Sequence, residues 1–152
     1  MADISTTTSR GEDSFPDQHI IEKMVRSASE MLDRSGDGDK HTVAASLYAD
    51  DGLIYSGVNL FHFTGGPCAE IVALARLASD GGGAKPLVIV AVADRERGVI
   101  APCGRCRQIL TDYCPEIQVV LRTEHGIRAV PLTATLPYAY LRAPRPEITR
   151  TV

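Results

Sequence analysis

Cys68, Glu70, Cys103 and Cys106 are residue types that do metal chemistry, and their spacing suits it. They sit in two short runs, Pro67-Cys68-Ala69-Glu70 and Pro102-Cys103-Gly104-Arg105-Cys106, with 34 residues between Cys68 and Cys103. Three thiolates can hold a zinc ion and leave its fourth position to water. A glutamate two residues from one ligand is close enough to move that water's proton without binding the metal. Each half of the pattern also has an ordinary explanation. Cys103-Gly104-Arg105-Cys106 alone would serve thiol redox chemistry equally well. Glu70 alone could be an acid favoured by the positive end of a helix. A closed structural zinc site would need a fourth protein ligand, and His62 is the nearest histidine in sequence to supply it. That arrangement leaves the position of Glu70 without a purpose. Arg105 and Arg107 lie in the same turn as two of the cysteines. Three thiolates on one divalent ion carry a net charge of -1, so a nearby guanidinium would compensate it. The alternative for each arginine is a solvated helix face.

The elements that must position these residues can be read from the pattern of apolar side chains. Ile20, Ile21, Met24, Ala28, Met31 and Leu32 recur at helical spacing, which predicts an amphipathic helix over 17–34. Ser35-Gly36-Asp37-Gly38-Asp39 ends it. Thr42 to Tyr48 and Leu53 to Val58 read as a hairpin turned at Asp50-Asp51-Gly52. Pro67 suits the first position of a second helix running to about Ser79. Leu87 to Ala93 is a continuous apolar run, as in a central strand covered on both faces. Cys103 to Tyr113 predicts a short helix. Ile117 to Leu121 and Ile127 to Val130 are strands joined by too short a link for a crossover helix, so they pair antiparallel. This order gives an α/β fold: a three-layer α/β/α sandwich with a mixed five-stranded sheet and an antiparallel last pair. Both cysteine runs then open helices that follow strands, where free N–H groups and the helix dipole favour the thiolate. Cys114 fits neither run and reads as packing near a helix end.

The 152 residues suffice for one compact domain, and 44% hydrophobic residues allow a buried core. Residues 1–16 read as a disordered tail, 17–140 as the zinc domain and 141–152 as a proline-containing C-terminal tail. A net charge of -3 and a pI near 5.8 argue against a nucleic-acid partner. No apolar run is long enough to cross a bilayer, and the N-terminal residues lack a signal-peptide core. Cytoplasmic localisation is the expectation, and reduced thiols there favour a metal over a disulfide.

The C-x-E and P-C-x-x-C pattern is that of the zinc nucleobase deaminases. The stretch Gly57-Val58-Asn59-Leu60-Phe61-His62-Phe63-Thr64-Gly65-Gly66-Pro67-Cys68-Ala69-Glu70, with Ala101 to Gln108, resembles the blasticidin S deaminases, a branch of the cytidine deaminase superfamily. The resemblance covers roughly residues 40–140. It implies a homotetramer with one zinc per subunit, held by Cys68, Cys103 and Cys106, with Glu70 as the proton shuttle. It implies that Asn59 contacts the sugar, although an asparagine there could instead bond local backbone. It also implies that the Ala69 N–H and the carbonyl of Ala101 or Pro102 read the pyrimidine edge. Tyr138 and Tyr140 would cover the substrate mouth, or else serve as interface or core residues.

Two departures from cytidine deaminases bear on the substrate. Phe61 stands where that family has a ribose-binding glutamate, and Ile71 stands where many three-cysteine members have an arginine. The first disfavours plain cytidine, because a site that has lost the acceptor for sugar hydroxyls loses affinity for them. The second makes Arg105 the better candidate for charge compensation. The expected activity is zinc-dependent hydrolytic deamination of a small-molecule cytosine nucleoside, with blasticidin S favoured. The rivals are cytidine or deoxycytidine salvage, deamination of another modified nucleoside or base, and a catalytically silent zinc-binding module. An enzyme editing nucleic acid would want a basic patch with stacking aromatics, which the sequence lacks.

Overall fold

A computed structural model describes residues 15–141. Nearly all of both expected tails, 1–16 and 141–152, falls outside that range. The elements run in the order α1 (Gln18–Ser35), β1 (Val43–Ala49), β2 (Ile54–Val58), α2 (Ala69–Asp80), β3 (Pro86–Ala93), β4 (Gly98–Ile100), α3 (Gly104–Tyr113), β5 (Gln118–Thr123), β6 (Gly126–Pro131) and α4 (Leu132–Thr135).

The sheet has six strands where five were expected. Its main path is β2-β1-β3-β5-β6, and β4 pairs with the end of β3. β4 is only three residues long, and three residues cannot establish an alternating pattern. The pairing is antiparallel everywhere except β3 with β5. β5 and β6 form the expected antiparallel hairpin, Val119 opposite Val130.

β3 alternates between the two faces. Val88, Val90 and Val92 pack with Ile21, Met24, Ala28 and Leu32 of α1. Ile89 and Ala91 pack with Ala69, Ala73 and Leu77 of α2 and with Leu110 of α3. The sheet is therefore covered by α1 on one side and by α2 and α3 on the other. That makes the expected three layers. α1 starts at Asp17, whose Oδ1 accepts from the Ile20 N–H at 2.8 Å, the cap that fixes the register of its apolar face. Ser46 is a polar residue buried within this apolar packing. Its hydroxyl lies 2.6 Å from that of Ser56, which in turn lies 3.0 Å from that of Ser27, so none of these three hydroxyls is left unpartnered.

α2 begins two residues later than expected and α3 one residue later. Cys68 and Cys103 are their N-caps, in extended conformation, and Pro67 lies just outside the helix. Gly57 lets β2 approach α2 closely. A Cβ there would lie 2.6 Å from Val72 Cγ1 and 3.2 Å from the Ala73 nitrogen.

Candidate metal centre

The starts of α2 and α3 lie side by side on one face of the sheet. Cys68, Cys103 and Cys106 meet there, all three sulfurs within 4.8 Å of one another. The Cys68 and Cys103 sulfurs are 3.7 Å apart, much too far for a disulfide. Ligands about 2.3 Å from a tetrahedral zinc ion would be separated by roughly 3.8 Å. The donor set therefore fits zinc in kind and in spacing. Among the described residues this is the one cluster of three or more potential metal ligands.

The electrostatics point the same way. Glu70 lies in the first turn of α2 and is only 5% exposed. Burial pushes its carboxyl above the ordinary range. Burial also raises Cys106, as do the charges of Glu70 and the other two cysteines. Cys68 is raised as well, again first by burial. Cys103 ends below its ordinary value although burial works against it, because the backbone N–H of Cys106, then side-chain bonds from Cys106 and Cys68, stabilise its thiolate. One thiolate is thus favoured, while a second and third, beside a carboxylate, are not. A divalent cation among them reverses that balance.

The segment leading into Cys68 is tightly folded. The Leu60 N–H donates to the Pro67 carbonyl at 3.0 Å, closing residues 60–67 into a loop. Gly66 sits against this closure, and a Cβ on it would collide with the Leu60 carbonyl. Within the loop, His62 Nδ1 lies 2.6 Å from Thr64 Oγ1 and accepts from the Thr64 N–H at 3.2 Å. His62 is exposed, packs on Phe63, and lies outside the cluster of sulfurs.

The other residues singled out in the sequence take varied places. Asn59 Oδ1 accepts from the N–H groups of Thr42 and Val43 at 2.8 and 2.9 Å, and Nδ2 donates to the Lys40 carbonyl at 3.1 Å. Its side chain is bound to local backbone. Ala69 is fully buried, and Pro102 is buried beside exposed Ala101. Arg105 Nη1 donates to the carbonyls of Gly66 and Gly65 at 3.3 and 3.5 Å. Its side-chain hydrogen bonds among the described residues go to this loop, while its backbone N–H helps to lower the Cys103 thiol. Arg107 donates to the Pro102 carbonyl and to the Thr135 carbonyl, each at 2.9 Å, tying the entry of α3 to α4. Phe61 is 65% exposed and Tyr138 is 96% exposed, so Tyr138 covers nothing among the described residues. Tyr140 is held instead on α3, its backbone N–H and carbonyl both bonded to the amide of Gln108. Cys114 packs at the end of α3, where burial raises its thiol to about 11. His41, whose Nδ1 lies 2.7 Å from the Asn59 carbonyl oxygen, attracts no notice in the sequence. Its one signal there is its place just before a strand.

Residues 18–121 match the family described as "Cytidine and deoxycytidylate deaminase zinc-binding region". The blasticidin-S deaminase of Bacillus cereus is 29% identical over 130 residues, spanning 79% of this chain and 91% of the relative. A cytidine deaminase of Mycobacterium tuberculosis is 33% identical over 103 residues, 66% of this chain and 74% of that one. The crystal structure of cytidine deaminase from Mycobacterium tuberculosis superposes with a TM-score of 0.65 at 25% identity, covering 80% of this chain and 98% of the other. No helix among the described residues is long and apolar enough to cross a membrane.

Proposed function

The chain belongs to the cytidine and deoxycytidylate deaminase family of zinc-dependent enzymes, and from that premise we propose that it hydrolyses the exocyclic amino group of a cytosine nucleoside, with blasticidin S the favoured substrate. The observation that carries the proposal is a buried Glu70 in the first turn of α2, next to three sulfurs set at zinc spacing. Cys68, Cys103 and Cys106 would hold one zinc per subunit. The metal supplies Lewis acidity and lowers the pKa of a water molecule.

The chain's own residues do the rest. Glu70 takes a proton from the attacking water and delivers it to the ring nitrogen of the cytosine. It then takes the second proton of that water from the hydroxyl now on the ring carbon and passes it to the amino group, which leaves as ammonia. Water and cytosine thus yield uracil and ammonia. Burial suits Glu70 to take the water's proton, since a carboxyl lifted above its usual range is a stronger base than a free one. The Ala69 N–H and a carbonyl of Ala101 or Pro102 would read the pyrimidine edge. Asn59 acts first on its own chain, fixing the backbone at 40–43 beside the site, and Arg105 holds the loop that leads into Cys68. In this proposal the Arg105 side chain screens the thiolates through its charge rather than through a direct bond.

Two observations favour blasticidin S: Phe61 offers no acceptor for ribose hydroxyls, and the blasticidin-S deaminase relative spans more of this chain than the cytidine deaminase does. Cytidine remains the second reading, favoured by the likeness to cytidine deaminases in sequence and structure. A cytoplasmic homotetramer completes the proposal. Phe61, Phe63, Tyr138 and Tyr140 are exposed apolar surface that assembly would cover.

Ammonia release from blasticidin S, cytidine and deoxycytidine tests the assignment, with zinc content measured on the same preparation. We expect kcat/KM for blasticidin S to exceed that for cytidine at least about tenfold, roughly 1.4 kcal/mol of transition-state binding. Faster turnover of cytidine would replace the favoured substrate with the second. No ammonia from any of them by zinc-loaded protein would leave a silent metal-binding module.

A further inference from the structure

We propose that His41 is a specificity residue whose Nε2 accepts a hydrogen bond from a donor on the sugar of the substrate. This rests on the nucleoside reading above and deepens it. His41 Nδ1 lies 2.7 Å from the Asn59 carbonyl oxygen. A carbonyl can only accept, so Nδ1 carries the hydrogen and the neutral ring keeps its lone pair on Nε2. Among the described residues Nε2 takes no hydrogen-bond partner, although the residue is half-buried.

The position of the ring gives that lone pair a use. β1 begins two residues after His41, and its Val43 and Ala45 pack in the core beneath α2 and α3. This is the face of the sheet on which both cysteine helices begin. Asn59, to which the ring is bonded, opens the loop that closes on Pro67 through the Leu60 N–H, one residue before Cys68. The ring is therefore tied to the start of the loop that leads into the metal centre.

Its support is unusually complete. Asp37 Oδ1 accepts from the N–H groups of Asp39, Lys40 and His41 at 3.0, 2.8 and 2.8 Å. Asn59 Oδ1 takes the next two N–H groups, those of Thr42 and Val43. Five consecutive backbone donors are fixed by two side chains, and the ring they carry is fixed by a sixth bond. Functional groups held this way are preorganised for a partner outside the chain. Asn59 has spent its carbonyl on backbone and Phe61 has no acceptor, which leaves His41 Nε2 to meet a sugar donor.

The test compares cytidine with 2′,3′-dideoxycytidine, which lacks two sugar hydroxyls, in steady-state deamination by wild type, His41→Asn and His41→Gln. The asparagine amide can replace Nδ1 and keep the bond to Asn59 but offers nothing at Nε2. The glutamine amide reaches the Nε2 position. The expected result is that the cytidine-to-dideoxycytidine ratio of kcat/KM falls about fivefold in His41→Asn, through KM, and recovers in His41→Gln, the size of one neutral hydrogen bond. A residue that only supported the fold would move both nucleosides alike and leave the ratio untouched. The acceptor role is overturned if His41→Asn keeps the wild-type ratio, or if His41→Gln is as poor as His41→Asn. Wild type that discriminates between neither nucleoside overturns it too, with deamination intact. Absence of ammonia from both, and from blasticidin S, overturns the nucleoside reading as well.

Discussion

Glu70→Gln removes one charge and one proton-transfer group and changes almost nothing else. The side chain is 5% exposed in the first turn of α2, and the amide has the same shape as the carboxylate. Two consequences follow with opposite signs. Turnover should fall by 10²–10⁴-fold or more, because general acid–base catalysis by a positioned side chain is worth about that much, roughly 3–5 kcal/mol of barrier. Stability of the metal-free protein should not fall. Burial raises the carboxyl pKa above its unfolded value, so the unfolded chain ionises first as pH rises. The folded state then loses stability with pH from the unfolded value near 4.5 upward. Glutamine does not titrate, so metal-free Glu70→Gln should melt at or above the wild-type temperature at pH 8, with the difference shrinking toward pH 4. Zinc content, ammonia release and thermal melts are measured on one preparation. Activity within tenfold of wild type with zinc retained would falsify the proton-shuttle role. A lower melting temperature than wild type in the metal-free protein at pH 8 would refute the burial argument.

Cys106→Ala should lose zinc and stability together, since binding energy at such a site is partly folding energy; one zinc per chain and an unchanged melting temperature would show that another residue is the ligand. Gly66→Ala should cost at least about 1–3 kcal/mol in stability through collision with the Leu60 carbonyl, with zinc affinity falling alongside because the loop leads into Cys68, and denaturant unfolding with metal titration checks both. Asp37 is held at about pKa 2 by backbone N–H groups, that of His41 first. Its contribution is therefore present above pH 4 and disappears as pH falls toward 2. Asp37→Asn should melt below wild type at pH 7 and converge with it near pH 2; a constant gap across that range counts against the assignment.

The metal centre was legible because its ligands come in two short runs with fixed offsets. Each run lies where a strand gives way to a helix, and both transitions announce themselves by period. β3 was legible for the same kind of reason, since Leu87 to Ala93 alternate into two apolar layers and so read as unbroken hydrophobicity. β4 and α4 were not. Gly98–Ile100 and Leu132–Thr135 are too short to show a period, and they exist because β3 and α3 offer them partners. Asn59 shows a subtler limit. Its residue type allowed a sugar contact or a backbone bond, and only the return of β1 alongside β2 brings the Thr42 and Val43 N–H groups to it. Arg105 likewise had a charge to offer in sequence. The geometry gave that charge two carbonyls of a loop 40 residues upstream.

Cys68 and Cys103 stand 35 positions apart in the chain and 3.7 Å apart at their sulfurs. A metal ion joining them is a cross-link, and β3 and β4 lie wholly inside the ring it closes. In the chain-entropy picture a covalent tie around a loop of this length restricts the unfolded ensemble by roughly 3–5 kcal/mol. An ion differs from a disulfide in one respect: it grips the unfolded chain only weakly, and Cys103 with Cys106 is the one pair near enough in sequence to hold it there. The ring closes when Cys68, at the start of α2, joins that pair at the start of α3, so the third sulfur ties metal binding to the docking of these two helices.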